Sequence, residues 1–248
     1  MSVHRKLVIA TAIAVSAVVA TTSGCAVWRV QRSAELARDS KPFQNNLDNP
    51  AVRLLIVGDS TAVGTGASAG RESLAGLVAR QYPRTLVENR ALDGAKFADV
   101  LAQLGGEQRF DIVLVQAGGN DVIRMRGLDA LHTDINRVAD RARALADTVV
   151  LMPAGNVGNA PFFFAPLSWW MAERSRALHR IVQHAAARTG AVYVNLFHES
   201  DDDPFVANPG LNASDGLHPS DSGYAVWFEQ LQVQAGLAQK LSGLDRRP

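Results

Sequence analysis

The sequence predicts a three-layer α/β/α fold on a five-stranded parallel sheet of flavodoxin-like order, and three observations predict it. From residue 51 onward, short β-branched runs alternate with longer amphipathic stretches. Each intervening stretch is long enough for a helical crossover, which makes the joined strands parallel and the connection right-handed. Glycine-containing polar clusters follow three of the runs, where the ligand crevice of such a sheet opens at the carboxyl ends of its strands. In order, the strand candidates are Arg53–Val57, Thr85–Glu88, Asp111–Val115, Thr148–Met152 and Ala191–Asn195. Helical length and apolar spacing mark Ser68–Gln81, Phe97–Leu104, Leu128–Leu145, Ser168–Arg188 and Ser222–Leu241. No internal repeat is present.

Composition narrows the class. With 47% apolar and 20% charged residues in 248, the chain can bury a substantial core. Twenty-five basic residues against 24 acidic ones leave no electrostatic footprint for a phosphate backbone, so nucleic acid is not expected as a partner. One cysteine, Cys25, excludes an intrachain disulfide and any multi-cysteine metal or redox centre. No metal or cofactor is expected, and the folded part is read as a monomer.

The N-terminus reads as an export signal over residues 1–25. His4, Arg5 and Lys6 precede Leu7–Ala20, which only Thr11 and Ser16 interrupt, and Thr21-Thr22-Ser23-Gly24-Cys25 follows. Small residues before a cysteine resemble the lipobox of bacterial lipoproteins, which implies lipidation at Cys25, although Thr22 stands where that pattern usually has Leu. The alternative is an uncleaved anchor, because Leu7–Trp28 approaches the roughly 20 residues a helix needs to cross a bilayer. Either reading places the remainder outside the cytoplasmic membrane, in the cell envelope or secreted. Residues 26–50 are polar and end in Asn45, Asn46, Asp48, Asn49 and Pro50, the composition of a linker. The folded domain is expected over 51–248.

The clusters are Gly58-Asp59-Ser60-Thr61, Gly94, Gly118-Gly119-Asn120-Asp121 and, before the last helix, Asp215-Gly216-Leu217-His218-Pro219. In that order and spacing they resemble the SGNH (GDSL-type) hydrolases, named for the residues that here are Ser60, Gly94, Asn120 and His218. The first block departs in Thr61, where the family commonly has Ser or Leu. The resemblance implies an oxyanion hole made by the backbone N–H groups of Ser60 and Gly94 and the side-chain amide of Asn120. The residue chemistry agrees, since a serine hydroxyl becomes a useful nucleophile only beside a base that a third group orients. Asp215 and His218, three residues apart, supply both.

Other residues compete for roles. Ser60 would serve as a mere helix cap, and Gly118 and Gly119 as a turn. Asp59 and Asp121 are expected to tie down their loops. His132, His179 and His184 fall on helices, which leaves His198 as the rival base, without a carboxylate three residues before it. Asp201-Asp202-Asp203 reads as a solvated loop rather than a cation site, and the sequon Asn212-Ala213-Ser214 carries little weight. Gly64–Ala69 fits G-x-G-x-x-A, with Glu88 as a ribose-binding acid, but it does not follow its strand directly.

Phe162, Phe163, Phe164, Trp169 and Trp170 form an aromatic cluster after the fourth strand. It serves as an acyl-binding wall through Phe162, Phe164 and Trp169, a lid, a membrane-facing surface, or a seat for the next helix. The expected function is hydrolysis of carboxylic esters of short to medium acyl chain, O-acetyl groups included, on a small-molecule, lipid or carbohydrate ester. Acyl transfer or thioester hydrolysis on the same site, and a non-catalytic cell-envelope binding protein, are the alternatives.

Overall fold

The computed structural model describes residues 24–244, so the leader expected over residues 1–25 lies outside it apart from Gly24 and Cys25. Five parallel strands, β1 (Val52–Gly58), β2 (Thr85–Asn89), β3 (Phe110–Gln116), β4 (Ala146–Leu151) and β5 (Val192–Tyr193), form one sheet in the order β2-β1-β3-β4-β5. This is the flavodoxin-like order, with its switch point between β1 and β3. β1 pairs with β3 from Leu54↔Ile112 to Gly58↔Gln116, which ends both strands at the same height.

The helices are α1 (residues 24–39), α2 (Ser60–Val63), α3 (Leu74–Gln81), α4 (Phe97–Gln103), α5 (Gly119–Ile123), α6 (Leu128–Leu145), α7 (Leu167–Thr189), α8 (Pro204–Ala207), α9 (Asp221–Ala235) and α10 (Leu237–Leu244). The strands read as near-continuous apolar runs because both faces are covered. Leu55, Val57, Val113, Val115 and Leu151 join one core with residues of α4, α6 and α7. Leu54, Ile56, Ile112, Leu114 and Val150 join the other with α3, α9 and α10. Each such buried side chain contributes about 1.5–3 kcal/mol of transfer free energy, so the two cores hold the sheet without covalent help.

Three differences from the sequence reading have local causes. The expected Ser68–Gln81 helix starts at Leu74, because Ser73 accepts the Gly76 N–H at 3.3 Å and a 3₁₀ turn over Gly70–Glu72 precedes it. The expected Ser222–Leu241 helix divides at Gly236. The fifth strand stops at Tyr193, and just beyond it the Gln234 side chain of α9 takes the place of a strand neighbour. Its Oε1 accepts the Asn195 N–H at 2.8 Å and its Nε2 donates to the Asn195 carbonyl at 2.9 Å.

The stretch expected as a linker, 26–50, is laid against the domain. Ala, Glu, Leu and Arg favour helix locally, and α1 is fastened by Arg29 to the Pro161 carbonyl and by Arg32 Nε to Ser214 Oγ at 2.8 Å. Beyond α1 the chain reaches the outer edge of β2. There the Asn45 amide donates to the Thr85 carbonyl at 3.0 Å and its Oδ1 accepts the Val87 N–H at 2.7 Å. Polar composition reads as a linker, yet Arg29, Arg32 and Asn45 are what bind it down.

Candidate active site

The site is assembled where β1 and β3 end. Gln103 of α4 grips Gly58 from below, its Oε1 accepting the Gly58 N–H at 2.7 Å and its Nε2 donating to the Gly58 carbonyl at 2.9 Å. The next residue, Asp59, caps α2 by accepting the Thr61 N–H at 3.0 Å and the Thr61 hydroxyl at 2.7 Å. Ser60 is thereby placed on the first turn of α2, with the cap supplied by its neighbour. Burial pushes the Asp59 carboxyl up, against the opposing pull of the Thr61 bonds, the His218 imidazole and the Gly119 N–H.

The loop before α9 carries the other two groups. Asp215 is fully buried; its Oδ1 accepts the Leu217 and His218 N–H groups at 3.0 and 3.1 Å, and its Oδ2 lies 2.6 Å from His218 Nδ1. Burial alone would raise the Asp215 carboxyl, but the His218 hydrogen bond and charge, with the two amides, hold it below its ordinary value. With Nδ1–H facing the carboxylate, His218 Nε2 is left as an acceptor, and Ser60 Oγ is 2.9 Å away to donate. The loop is fixed by the Ala213 N–H donating to the His218 carbonyl at 2.7 Å and by the Phe162 N–H donating to Gly216 at 2.9 Å.

Gly66 packs against the back of this loop. Its φ is +96°, and a Cβ there would lie 2.5 Å from the Pro219 carbonyl oxygen and 2.9 Å from His218 Cβ. The Gly64–Ala69 segment is therefore a support for the His218 loop, which is at odds with a dinucleotide cradle. Thr65 continues the support, accepting the buried Tyr224 hydroxyl at 2.8 Å and donating to Asp93 at 2.6 Å.

Ser60, Gly94, Asn120 and His218 line one cavity of about 450 Å³, within the range that holds small-molecule ligands. Gly94 has φ +76°, which strains any residue with a Cβ. Asn120 stands on the first turn of α5, and no hydrogen bond engages its side chain among the described residues. Asp121 beside it accepts the Phe97 N–H at 3.0 Å and so ties α5 to α4. Its buried carboxyl is pushed up to about 6 by desolvation, despite that bond.

The remaining candidates separate. Phe162 lines the cavity, whereas Phe164 and Trp169 do not: the Arg29 guanidinium covers the Phe164 ring at 4.5 Å, and Trp169 is 67% exposed. The apolar lining comes instead from Leu196, Phe205, Val226 and Trp227, together with α1 residues Val30, Ala34 and Ala37. Sequence reasoning missed these; the only available signal was the apolar character of α9. His198 lines the cavity, but no carboxylate bonds its ring among the described residues. His179 is buried elsewhere, its Nε2–H donating to the Ala154 carbonyl at 2.7 Å. Desolvation lowers His179 to about 4, which keeps it neutral. Asp203 is spent on capping α8 and on Asn159 at 2.7 Å, and no metal-binding group of three His, Cys, Asp or Glu occurs among the described residues. Cys25 is an exposed free thiol, and no described helix is long and apolar enough to cross a membrane.

Comparison with known proteins adds to this geometry. A model of the GDSL-like lipase/acylhydrolase family matches residues 56–226. Among solved structures, TesA is 23% identical with a TM-score of 0.60, over 77% of this chain and 99% of its own. Axe2, an acetylxylan esterase from Geobacillus stearothermophilus, is 22% identical with a TM-score of 0.52, over 76% and 95%. The lipase Lip_vut3 from a goat rumen metagenome is 15% identical with a TM-score of 0.59, over 75% and 97%. At these identities the likeness establishes the fold. No curated protein sequence matches the chain.

Proposed function

The chain belongs to the GDSL-like lipase/acylhydrolase family of serine ester hydrolases, and from that premise we propose that it hydrolyses carboxylic esters of short to medium acyl chain through an acyl-enzyme on Ser60. The observation that carries this reading is the unbroken line Ser60 Oγ to His218 Nε2 at 2.9 Å and His218 Nδ1 to Asp215 at 2.6 Å. His218 takes the Ser60 proton as Oγ attacks the ester carbonyl, and Asp215 stabilises the resulting imidazolium. The Ser60 and Gly94 N–H groups and the Asn120 amide receive the oxyanion. Collapse of the tetrahedral intermediate breaks the bond to the alcohol, to which His218 returns the proton. A water molecule, deprotonated by His218, then attacks the acyl-enzyme and releases the acid and Ser60.

The aliphatic and aromatic share of the cavity lining supports an apolar acyl group, and structural neighbours described as a lipase and an acetylxylan esterase support ester hydrolysis. Ser60→Ala should fold normally and lose nearly all turnover of an activated ester, with His218→Ala alike and His198→Ala close to wild type. Substantial turnover by pure Ser60→Ala protein would overturn the reading.

The location follows the same course. We propose export to the cell envelope, held at the membrane through the N-terminus. The apolar Leu7–Ala20 run, the accessible thiol of Cys25, and exposed Trp28, Trp169 and Trp170 support it, because tryptophan suits a membrane interface. Cys25→Ser should release the protein from membranes if Cys25 carries lipid and leave it bound if the apolar run is the anchor; a soluble wild-type protein in fractionated cells would contradict both.

A further inference from the structure

Helix α1 lies outside the stretch of chain matched by the family, residues 56–226, yet it contributes four residues to the cavity that contains Ser60. These are Val30, Ser33, Ala34 and Ala37. Their spacing of three, four and seven residues sets them on one face of the helix. The helix is fixed relative to the chemistry rather than loosely apposed. Arg32 Nε donates at 2.8 Å to Ser214 Oγ, the residue before Asp215, and Arg29 bonds the Pro161 carbonyl while covering the Phe164 ring. Phe205, Val226 and Trp227 line the same cavity and add to its apolar surface.

We infer that α1 is the outer wall of the acyl-binding site and that Ala34 and Ala37 set the longest acyl chain the enzyme accepts. This rests on the reading of Ser60 as the nucleophile. The acyl group stays covalently held from attack on the ester until the acyl-enzyme is hydrolysed, whereas the alcohol must leave first, so the apolar part of the lining that α1 and α9 supply suits the acyl chain. The apolar side chains of the lining grip methylene groups, which favours a medium-length fatty acyl ester. Three of the four α1 residues are small, and their smallness keeps the space open. A bulky side chain at position 34 or 37 would fill it while leaving Ser60, His218 and the oxyanion donors untouched.

The test uses the full chain, with p-nitrophenyl acetate and p-nitrophenyl octanoate as probes. Ala34→Phe and Ala37→Phe should each lower kcat/KM for the octanoate about tenfold or more, chiefly through KM, and leave the acetate within about twofold. Gln31→Phe, on the exposed side of α1, should change neither. Equal losses on both esters in folded protein, or no loss on either, would overturn the inference. Should a phenylalanine variant fail to fold, Val30→Ala decides, because it only enlarges the space: it should raise the octanoate-to-acetate ratio severalfold, and an unchanged ratio overturns the inference. A Ser60→Ala protein that still turns over acetate would refute the nucleophile itself, whereas an inactive Ser60→Ala with an unaltered Ala34→Phe profile refutes only the role of α1.

Discussion

Asp59 and Gly119 are joined across the switch point of the sheet: Asp59 Oδ2 accepts the Gly119 N–H at 3.3 Å while its Oδ1 holds the Thr61 N–H and hydroxyl. One carboxylate thus fixes both the turn that presents Ser60 and the turn that presents Asn120. Asp59→Asn replaces one of these acceptors by an NH₂ group facing an N–H. The expected result is a fall in kcat of about tenfold or more with KM little changed, since the donors proposed for the oxyanion lose their mutual placement. Steady-state kinetics check it, and an effect confined to KM would make Asp59 a substrate-binding group.

Asn120→Ala removes an amide that nothing else in the described protein engages, so folding has little stake in it. Its kcat should drop about a hundredfold or more, the magnitude associated with one oxyanion donor, with KM nearly constant. A thermal melt within a few degrees of wild type should accompany the loss.

Gly66→Ala tests the support behind His218. The new methyl would meet the Pro219 carbonyl and His218 Cβ at less than contact distance, at a backbone angle that a side chain rarely adopts. The loop should shift, lengthening the His218–Ser60 bond, and kcat should fall about tenfold or more while binding of a non-hydrolysable product acid changes little. Wild-type kcat in this variant would show that the loop yields without moving the imidazole.

Asp121 and His179 oppose one another in the acid range. Asp121 titrates near 6 when folded against 3.8 ordinarily, so the native state keeps a proton that the unfolded chain has lost, and stability falls as pH rises from about 4 to 6. His179 titrates near 4 when folded against 6.5, so the unfolded chain takes up the proton first, and stability falls as pH drops from about 6.5 to 4. Over the shared window the two offset. Asp121→Asn should leave His179 uncompensated, costing about 3 kcal/mol between pH 6.5 and pH 4 in denaturant titrations, against a smaller change in wild type. Asp215, held below its ordinary value, loses its stabilising contribution only below about pH 4.

Much of this was legible in the sequence, for physical reasons. Apolar runs of five or six residues separated by helical lengths admit few topologies. Asp215 and His218 can meet because three residues of one turn bring them together, a local fact that spacing reports. What escaped depends on distance in space. The polar residues of α1 look solvated until Arg32 is found on Ser214, and Trp227 reads as one more core residue of α9 until its edge proves to line the cavity. Phe164 and Trp169 misled because aromatic content signals burial of some kind without saying where. Phe164 is covered by a cation instead, and Trp169 faces outward.

Asn45 and Gln234 lie at opposite margins of the sheet, and each presents a carboxamide to a backbone N–H and C=O as a neighbouring strand would. An open strand margin is a template on which another chain can build, and many proteins blunt it with charge or proline. Here two side chains occupy the template positions, at a cost of one residue per margin. Loss of the segment around Asn45 would leave the Thr85 carbonyl and the Val87 N–H at the margin of β2 without these bonds, open to lateral pairing with another strand. Cover for the outer margin of β2 is thus supplied by residues that precede the first strand.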